Sequence, residues 1–414
     1  MSLFARRGKR PENSPPGAGQ PVAAPTRYGF EYLRAEDVYL DSACQTLRPQ
    51  PVIDALTDYY VTHNACGERV KYAWGARVDE RVAATRARVL RHLGLPARRY
   101  TTSFTLNTTY AVNLLLTQLP AGRFRRVVTT HTEHNSVFLP TIAFARRTGV
   151  ERLVLDRGAD GSLRYDPAQL DGAVVVLSAM NNVTGEPTVG LRELVSQTRR
   201  RGGITIVDAA QAVPHAPELV HGLEADAVCF SAHKVYGASL GVVAARDELL
   251  ASLELGFVGG GQVAAVREQD FDLIGDLHTR LEPGLQAWGE IVALDAALTW
   301  LDGFEHGAGE SLHARELRLS EALYDGVAAG KAEILSPRGS SLVTIVPERV
   351  DGHQLAGFLG KAGIMVRSGY FCAHHWLIEQ RGLRPAVRFS IGAHNTDEDV
   401  ARTVDVVQRL LKGL

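Results

Sequence analysis

The stretch Ala225-Asp-Ala-Val-Cys-Phe-Ser-Ala-His-Lys-Val-Tyr-Gly237 constrains this chain more than any other. Its apolar run, Ala227 to Phe230, reads as a buried strand, and the run stops at Ser231-Ala232-His233-Lys234. A lysine at the mouth of a buried strand has two readings. Either its stem snorkels and the ammonium reaches water, or burial disfavours the charge and leaves a neutral amine near neutral pH. Gly237, and Gly241 inside the apolar run Leu240 to Ala245, predict a tight turn and a second strand returning.

The segment upstream favours the second reading. Ile204-Thr-Ile-Val-Asp208-Ala-Ala-Gln211 is a β-branched run ending in an acid, 26 residues before Lys234 (208 to 234). That distance suits one strand, one connection and one more strand. Asp208 and Lys234 then stand at carboxyl ends of strands, where open α/β sheets bind ligands. A buried carboxylate for a protonated pyridine nitrogen, with a lysine amine for an aldehyde carbon, is the minimal equipment for pyridoxal 5'-phosphate.

The rest of the chain supplies a frame for such a site. Strand-like runs at Tyr100 to Leu106, Arg125 to Thr130, Val150 to Leu155, Ala173 to Ser178 and Ile204 to Asp208 alternate with helical periodicity. This predicts an α/β fold with a mostly parallel, doubly wound sheet. No Gly-x-Gly-x-x-Gly follows the first strand, which counts against a nicotinamide-binding Rossmann unit. Thr108 and Thr109 open a helix, where hydroxyls cap the N-terminus or join its free N–H groups in holding phosphate. His131-Thr-Glu133-His134 ends a strand; a histidine there is a solvated loop residue, or a flat ring able to stack on a pyridine and shuttle protons. Asn181-Asn182-Val-Thr-Gly185 is a loop of turn formers whose amide can reach a phenolic oxygen. Gly256 to Gly261 is a glycine-rich loop expected beside the site.

Beyond a long helix predicted over Leu285 to Leu301, the pattern from about 305 becomes helix, two strands, helix, two strands, helix: a smaller α+β unit. It contains Arg367-Ser-Gly369-Tyr-Phe-Cys372, a strand running into a glycine turn and a cysteine. It also contains Arg388 in an apolar strand, where a buried guanidinium needs an internal salt bridge or a ligand carboxylate or phosphate. The expected units are a disordered N-terminal arm over 1–27, a large cofactor-binding domain over 28–283, and a linker helix with a small domain over 284–414.

Bulk composition excludes several classes. Lys+Arg of 45 against Asp+Glu of 46 leaves no nucleic-acid footprint. No apolar run is long enough to span a bilayer. The four cysteines, Cys44, Cys66, Cys229 and Cys372, are scattered, so neither a disulfide framework nor a metal site is expected. The N-terminus lacks a signal peptide's apolar core, and the cytoplasm is the default compartment.

In order, the chain shows Thr108-Thr109, Glu133-His134, Asn182-x-x-Gly185, Asp208-x-x-Gln211, Ser231-x-His233-Lys234, Arg367-x-Gly369-x-x-Cys372 and Arg388. This succession resembles the class V aminotransferase fold, a type I pyridoxal phosphate fold, and within it the cysteine desulfurase/selenocysteine lyase family. The resemblance runs from about Tyr39 to the C-terminus. It implies that Lys234 forms the Schiff base and Asp208 pairs with the pyridine nitrogen. Gln211 and Asn182 lie by the phenolic oxygen, and His134 stacks on the ring. Thr109, Ser231 and His233 hold the phosphate with Thr108 close by. Arg388 binds the substrate α-carboxylate, and Cys372 is the catalytic cysteine. The activity implied is removal of sulfur from L-cysteine, giving alanine and a persulfide on Cys372 for transfer to a thiol or an acceptor protein. A homodimer is implied on the same ground.

The chain also departs from the family. Tyr370-Phe371 stands where the pair is often His-His. Leu285 replaces a threonine that reaches the partner subunit's phosphate. Ala238 replaces a proline, and the segment at Cys66 differs. Two alternatives therefore stand beside the desulfurase: another class V enzyme, such as a C–S lyase on a larger cysteine conjugate, an epimerase or an aminotransferase; or a sulfur-carrier scaffold without turnover.

Overall fold

The computed structural model describes residues 28–413, apart from 69 and 159. The arm expected over 1–27 lies outside the described residues. An eight-stranded sheet forms the body. Its strands are β1 (Tyr100–Thr105), β2 (Arg126–Thr130), β3 (Glu151–Arg157), β4 (Leu163–Arg164), β5 (Ala173–Ser178), β6 (Ile204–Asp208), β7 (Ala227–Ser231) and β8 (Gly241–Arg246). They lie in the order β1-β8-β7-β6-β5-β2-β3-β4. The middle, β7-β6-β5-β2-β3, is parallel throughout, and antiparallel pairs close both edges. The strand predicted to return after Gly237 is β8, paired to β7.

Burial explains the unbroken apolar runs. Every residue of β5, β6 and β7 is buried, as a sheet covered on both faces requires. Alternate side chains of β5 serve opposite faces. Val174 and Val176 pack with helix α3 (Thr108–Gln118), whereas Val175 and Leu177 join the core under helix α6 (Trp288–Ala308). Helix α6 starts at Trp288, not at Leu285, because Gly284 takes a left-handed φ of 86° just before it. Leu285 is 77% exposed.

A second, four-stranded antiparallel sheet is built from β9 (Ala332–Ile334), β10 (Leu342–Pro347), β11 (Arg367–Gly369) and β12 (Ala386–Ser390), in the order β9-β10-β12-β11. It has its own core, in which Leu319, Leu323, Val343, Ile345 and Phe389 are buried. The N-terminal pair Val38–Tyr39 joins this unit by pairing in parallel with Ile364–Met365. That pairing delivers Asp41 and Cys44 to the gap between the two sheets. Among the described residues, no helix is long and apolar enough to cross a membrane.

Candidate active site

The strand order reverses between β5 and β2, and the carboxyl ends of β2, β5, β6 and β7 open at that edge. A cavity of about 310 Å³ lies there, between the body and the small sheet. All the residues singled out from the sequence line it: Thr108, Thr109, His134, Asn182, Asp208, Gln211, Ser231, His233, Lys234, Cys372 and Arg388. The glycine-rich loop does not. Phe257 packs edge-on to Tyr110, and Gly260 O accepts from Gly284 N at 2.7 Å, away from the cavity lining.

One end of the cavity is a hydroxyl cradle at the start of α3. Thr108 N donates to Ser231 Oγ at 3.0 Å, and the two hydroxyl oxygens lie 2.7 Å apart. Thr109 Oγ1 meets Ser136 Oγ at 2.6 Å. Asn107 caps the helix, its Oδ1 accepting from Tyr110 N at 2.9 Å. The close approach depends on Gly241: a Cβ there would stand 2.6 Å from Asn107 N. Free helix N–H groups beside hydroxyls suit a phosphate.

The floor carries opposite charges. Asp208 is buried at the end of β6, with Oδ1 accepting from Ala210 N at 2.9 Å. Burial raises its carboxyl pKa, and the Ala210 bond and Lys234 pull the other way. Burial likewise lowers the Lys234 pKa, as does Arg388, while Asp208 opposes them. Gln211 spends Nε2 on Ala43 O at 2.7 Å and leaves Oε1 buried without a hydrogen-bond partner among the described residues. His134 caps helix α4 (Asn135–Thr148), its Nδ1 accepting from Ser136 N at 3.0 Å. That bond assigns the neutral tautomer with the proton on Nε2. Burial, with Lys234 and Arg388 nearby, lowers the His134 pKa to about 3. His233 is held down to about 4, by burial first.

The opposite wall comes from the small sheet. Arg388 is 4% exposed. Its Nη1 donates to Asn182 O at 2.7 Å, its Nη2 lies 3.6 Å from Asp41 Oδ1, and its Nε has no partner among the described residues. Both readings of this arginine therefore have a foothold: an internal ion pair at one end and an unspent donor at the other. Cys372 is exposed, on a turn where Phe371 and Cys372 take φ of 48° and 55°. Such left-handed conformations strain non-glycine residues. Asn182 Nδ2 donates to Phe371 O at 2.8 Å, and Asn135 N donates to Cys372 O at 2.6 Å, which fixes the turn over the cavity. A π-helical turn, His375–Gln380, follows and stacks His375 on Phe138 at 4.4 Å.

Sequence reasoning gave no role to several lining residues, Cys44 and Arg367 among them, although Arg367 stands in the motif that ends at Cys372. Arg367 faces Arg388 across the β11–β12 register, and its guanidinium reaches Asp41 at 3.0 Å and Cys44 Sγ. Cys44 follows the strand-to-turn run Val38 to Asp41, the same kind of signal that marked Asp208.

The donor set fits pyridoxal phosphate. A buried carboxylate calls for a cationic nitrogen, the hydroxyl cradle suits a phosphate, and the orphaned Oε1 of Gln211, a residue of the cavity lining, calls for a hydrogen-bond partner.

Comparisons with known proteins agree with this arrangement. The model of the family Aminotransferase class-V matches residues 38–403. A probable cysteine desulfurase 2 of Mycobacterium leprae is 32% identical over 388 residues, covering 90% of this chain and 91% of the relative. The crystal structure of the cysteine desulfurase CsdA of Escherichia coli superposes with a TM-score of 0.82 at 26% identity, covering 94% of this chain and 98% of that one. The apo cysteine desulfurase of Thermococcus onnurineus gives the same TM-score, 0.82, at 26% identity, with 92% and 96% covered. Order of motifs, sheet topology and cavity chemistry thus converge, and the chain belongs to the class-V aminotransferase family, within its cysteine desulfurase group.

Proposed function

We propose that this protein removes sulfur from L-cysteine, releasing alanine and leaving the sulfur as a persulfide on Cys372. The observation that carries the reading is an exposed thiol, held on a strained turn, over a cavity with Lys234 and Asp208 at its floor and Arg388 in its wall. Pyridoxal phosphate, the cofactor of this family, supplies an electron sink for a substrate carbon that loses a proton. Asp208 would hold its ring nitrogen, Thr108, Thr109, Ser231 and His233 its phosphate, His134 one ring face, and Gln211 with Asn182 the phenolic side.

Lys234, whose amine is favoured by burial, takes the Cα proton. Arg388 orients the substrate carboxylate through its unspent Nε. His134 enters neutral with Nε2–H as a donor, so its part is to stack and to give a hydrogen bond, not to accept a proton. The Cys372 thiolate attacks the substrate sulfur. One S–S bond forms, the substrate C–S bond breaks with its electron pair left on Cβ, and two protons complete alanine: the substrate thiol's at Cβ, and the one taken by Lys234 returned to Cα. The turn keeps the Cys372 thiol accessible, as a nucleophile and sulfur donor must be.

We assign residues 28–283 to the cofactor-binding unit, with the N-terminal segment at Val38–Tyr39 packing near the small unit, and 284–414 to the linker helix and the substrate-side unit. A homodimer and an acceptor protein for the sulfur are part of the same proposal. Support for a dimer comes from apolar side chains left on the surface, among them Leu106, Phe257, Val266 and Leu285.

The test is a visible spectrum of the purified protein before and after L-cysteine, with alanine and bound sulfur quantified. Equal alanine and persulfide, both lost in Cys372→Ser, are expected. Pyruvate and ammonia in place of alanine, undiminished in Cys372→Ser, would make it a C–S lyase and overturn the reading.

A further inference from the structure

We propose that Cys44 is a second sulfur-holding thiol of this cavity, taking the outer sulfur from Cys372 and keeping it as an anionic hydropersulfide beside Arg367 and Arg388. The proposal rests on the persulfide reading above.

The four free cysteines divide by place. Cys44 and Cys372 line the cavity, Cys229 is buried inside β7, and Cys66 is exposed elsewhere. Cys372 approaches from the small-sheet wall, on its exposed turn. Cys44 approaches from the turn that follows Asp41 and is half-buried. Two observations give Cys44 a chemical setting that Cys66 lacks. The Arg367 guanidinium donates to its Sγ while also resting on Asp41 at 3.0 Å. Arg388, 4% exposed and lining the same cavity, keeps a buried Nε with no partner among the described residues. A guanidinium beside a sulfur favours its anion, and an unspent buried donor calls for an acceptor. Once alanine has left, the carboxylate that Arg388 held is gone, and an anionic sulfur is the acceptor the cavity can offer it. Sulfur on Cys372 is open to any thiol in solution, whereas sulfur on Cys44 sits between two cations and partly out of solvent.

The step balances without an outside reagent. The Cys44 thiolate attacks the outer sulfur of the Cys372 persulfide. An S–S bond forms at Cys44, the S–S bond at Cys372 breaks, and its electron pair leaves with Cys372 Sγ, restoring the thiolate for the next substrate. No net oxidation or reduction occurs, as in any thiol–disulfide exchange.

The experiment uses the holoenzyme with one equivalent of L-cysteine and no reductant. Samples are quenched over time with iodoacetamide and digested, and the four cysteine peptides are weighed for an extra sulfur. Sulfur is expected on Cys372 first and on Cys44 later, with Cys66 at background; in Cys372→Ser the Cys44 signal vanishes. Persulfide on Cys372 with Cys44 no higher than Cys66 overturns this proposal and leaves the desulfurase reading standing. Sulfur on Cys44 in Cys372→Ser overturns the order of transfer, and the proposal with it. Sulfur on neither residue overturns both.

Discussion

The turn that bears Lys234 is tied down from several sides: Ala232 N donates to Leu240 O of its own body at 2.7 Å, and the segments at Thr46 and Ala393 add to it. His233 O accepts from Thr46 N and Oγ1 at 2.9 and 3.1 Å, and Tyr236 N returns a bond to Thr46 Oγ1 at 2.9 Å. Tyr236 bears a left-handed φ of 60°, but Ala393 N reaches its hydroxyl at 2.9 Å and the whole side chain is buried. The turn that bears Cys372 is closed within its own unit by Ala373 N, which donates to Tyr370 O at 2.8 Å, with the Arg388 guanidinium over the Phe371 ring. The Phe371 and Cys372 carbonyls are held by Asn182 and Asn135 of the opposite wall, and the Cys372 thiol is exposed. One wall is thus a fixed cofactor seat. The other is a strained turn whose position depends on contact across the gap. A Schiff-base lysine needs a constant position, whereas a sulfur carrier must meet substrate on one side and an acceptor on the other.

If that division holds, changes on the body wall should weaken or alter cofactor binding, and changes on the small-sheet wall should spare it. The largest effect is expected from Lys234→Ala. Turnover should fall to background and the visible band should be lost on dialysis; a band that survives would break the assignment of the fixed wall. Next comes Arg388→Ala, on the other wall. Asp41 keeps Arg367 at 3.0 Å, so the turn before Cys44 should survive. Loss of one partner of a buried charge contact is expected to weaken substrate binding by ~2–5 kcal/mol. Steady-state kinetics should show a raised KM with the band retained, and an unchanged KM would remove Arg388 from the substrate wall.

Acid sharpens the same contrast. His134 belongs to the cofactor wall and titrates in the folded protein at about 3, against ~6.5 for an unperturbed histidine. Between those values the unfolded chain binds the extra proton and the folded one does not, so stability falls as pH drops below ~6.5 and the loss deepens toward the folded pKa. Thermal melts of the holoenzyme from pH 7 to 5 should show that slope, and it should be shallower in His134→Gln. A slope equal in both would mean that other groups set it, His233 being the first to examine, since it is held at about 4.

The two walls also differed in how far they could be read from sequence. Asp208, Ser231 and Lys234 sit where unbroken apolar runs stop, and such runs in a buried parallel sheet end at the ligand edge. The body and its cofactor seat were therefore legible from local pattern. Cys44 and Arg367 were not, because their place depends on pairings across long stretches of chain. Val38 pairs with Ile364, and Arg367 with Arg388. No local periodicity encodes such a register. The strain at Phe371 and Cys372 was equally hidden, because left-handed φ is announced by glycine or asparagine and neither stands there. Gly256 to Gly261 misled for the opposite reason: glycine marks backbone freedom and says nothing of direction, and this loop packs on Gly284.

The smallest of these effects is expected from Asn182→Ala, and it bears most directly on how the two walls meet. Asn182 faces both ways: its backbone carbonyl accepts from Arg388, and its side chain donates to Phe371 O. Alanine keeps the first bond and removes the second. The Phe371 carbonyl then loses a donor it needs to hold a strained φ of 48°, a loss of about 1–3 kcal/mol where the group stays buried. The body does not rely on this bond, so the cofactor should be retained, with its band shifted by the loss of the Asn182 amide from the phenolic side. The Cys372 turn does, so alkylation of Cys372 in the holoenzyme should change rate while alkylation of Cys66 does not. An unaltered Cys372 rate would mean that the Asn135 bond at 2.6 Å holds the turn by itself, and that the small-sheet wall is as firmly fixed as the one that carries the lysine.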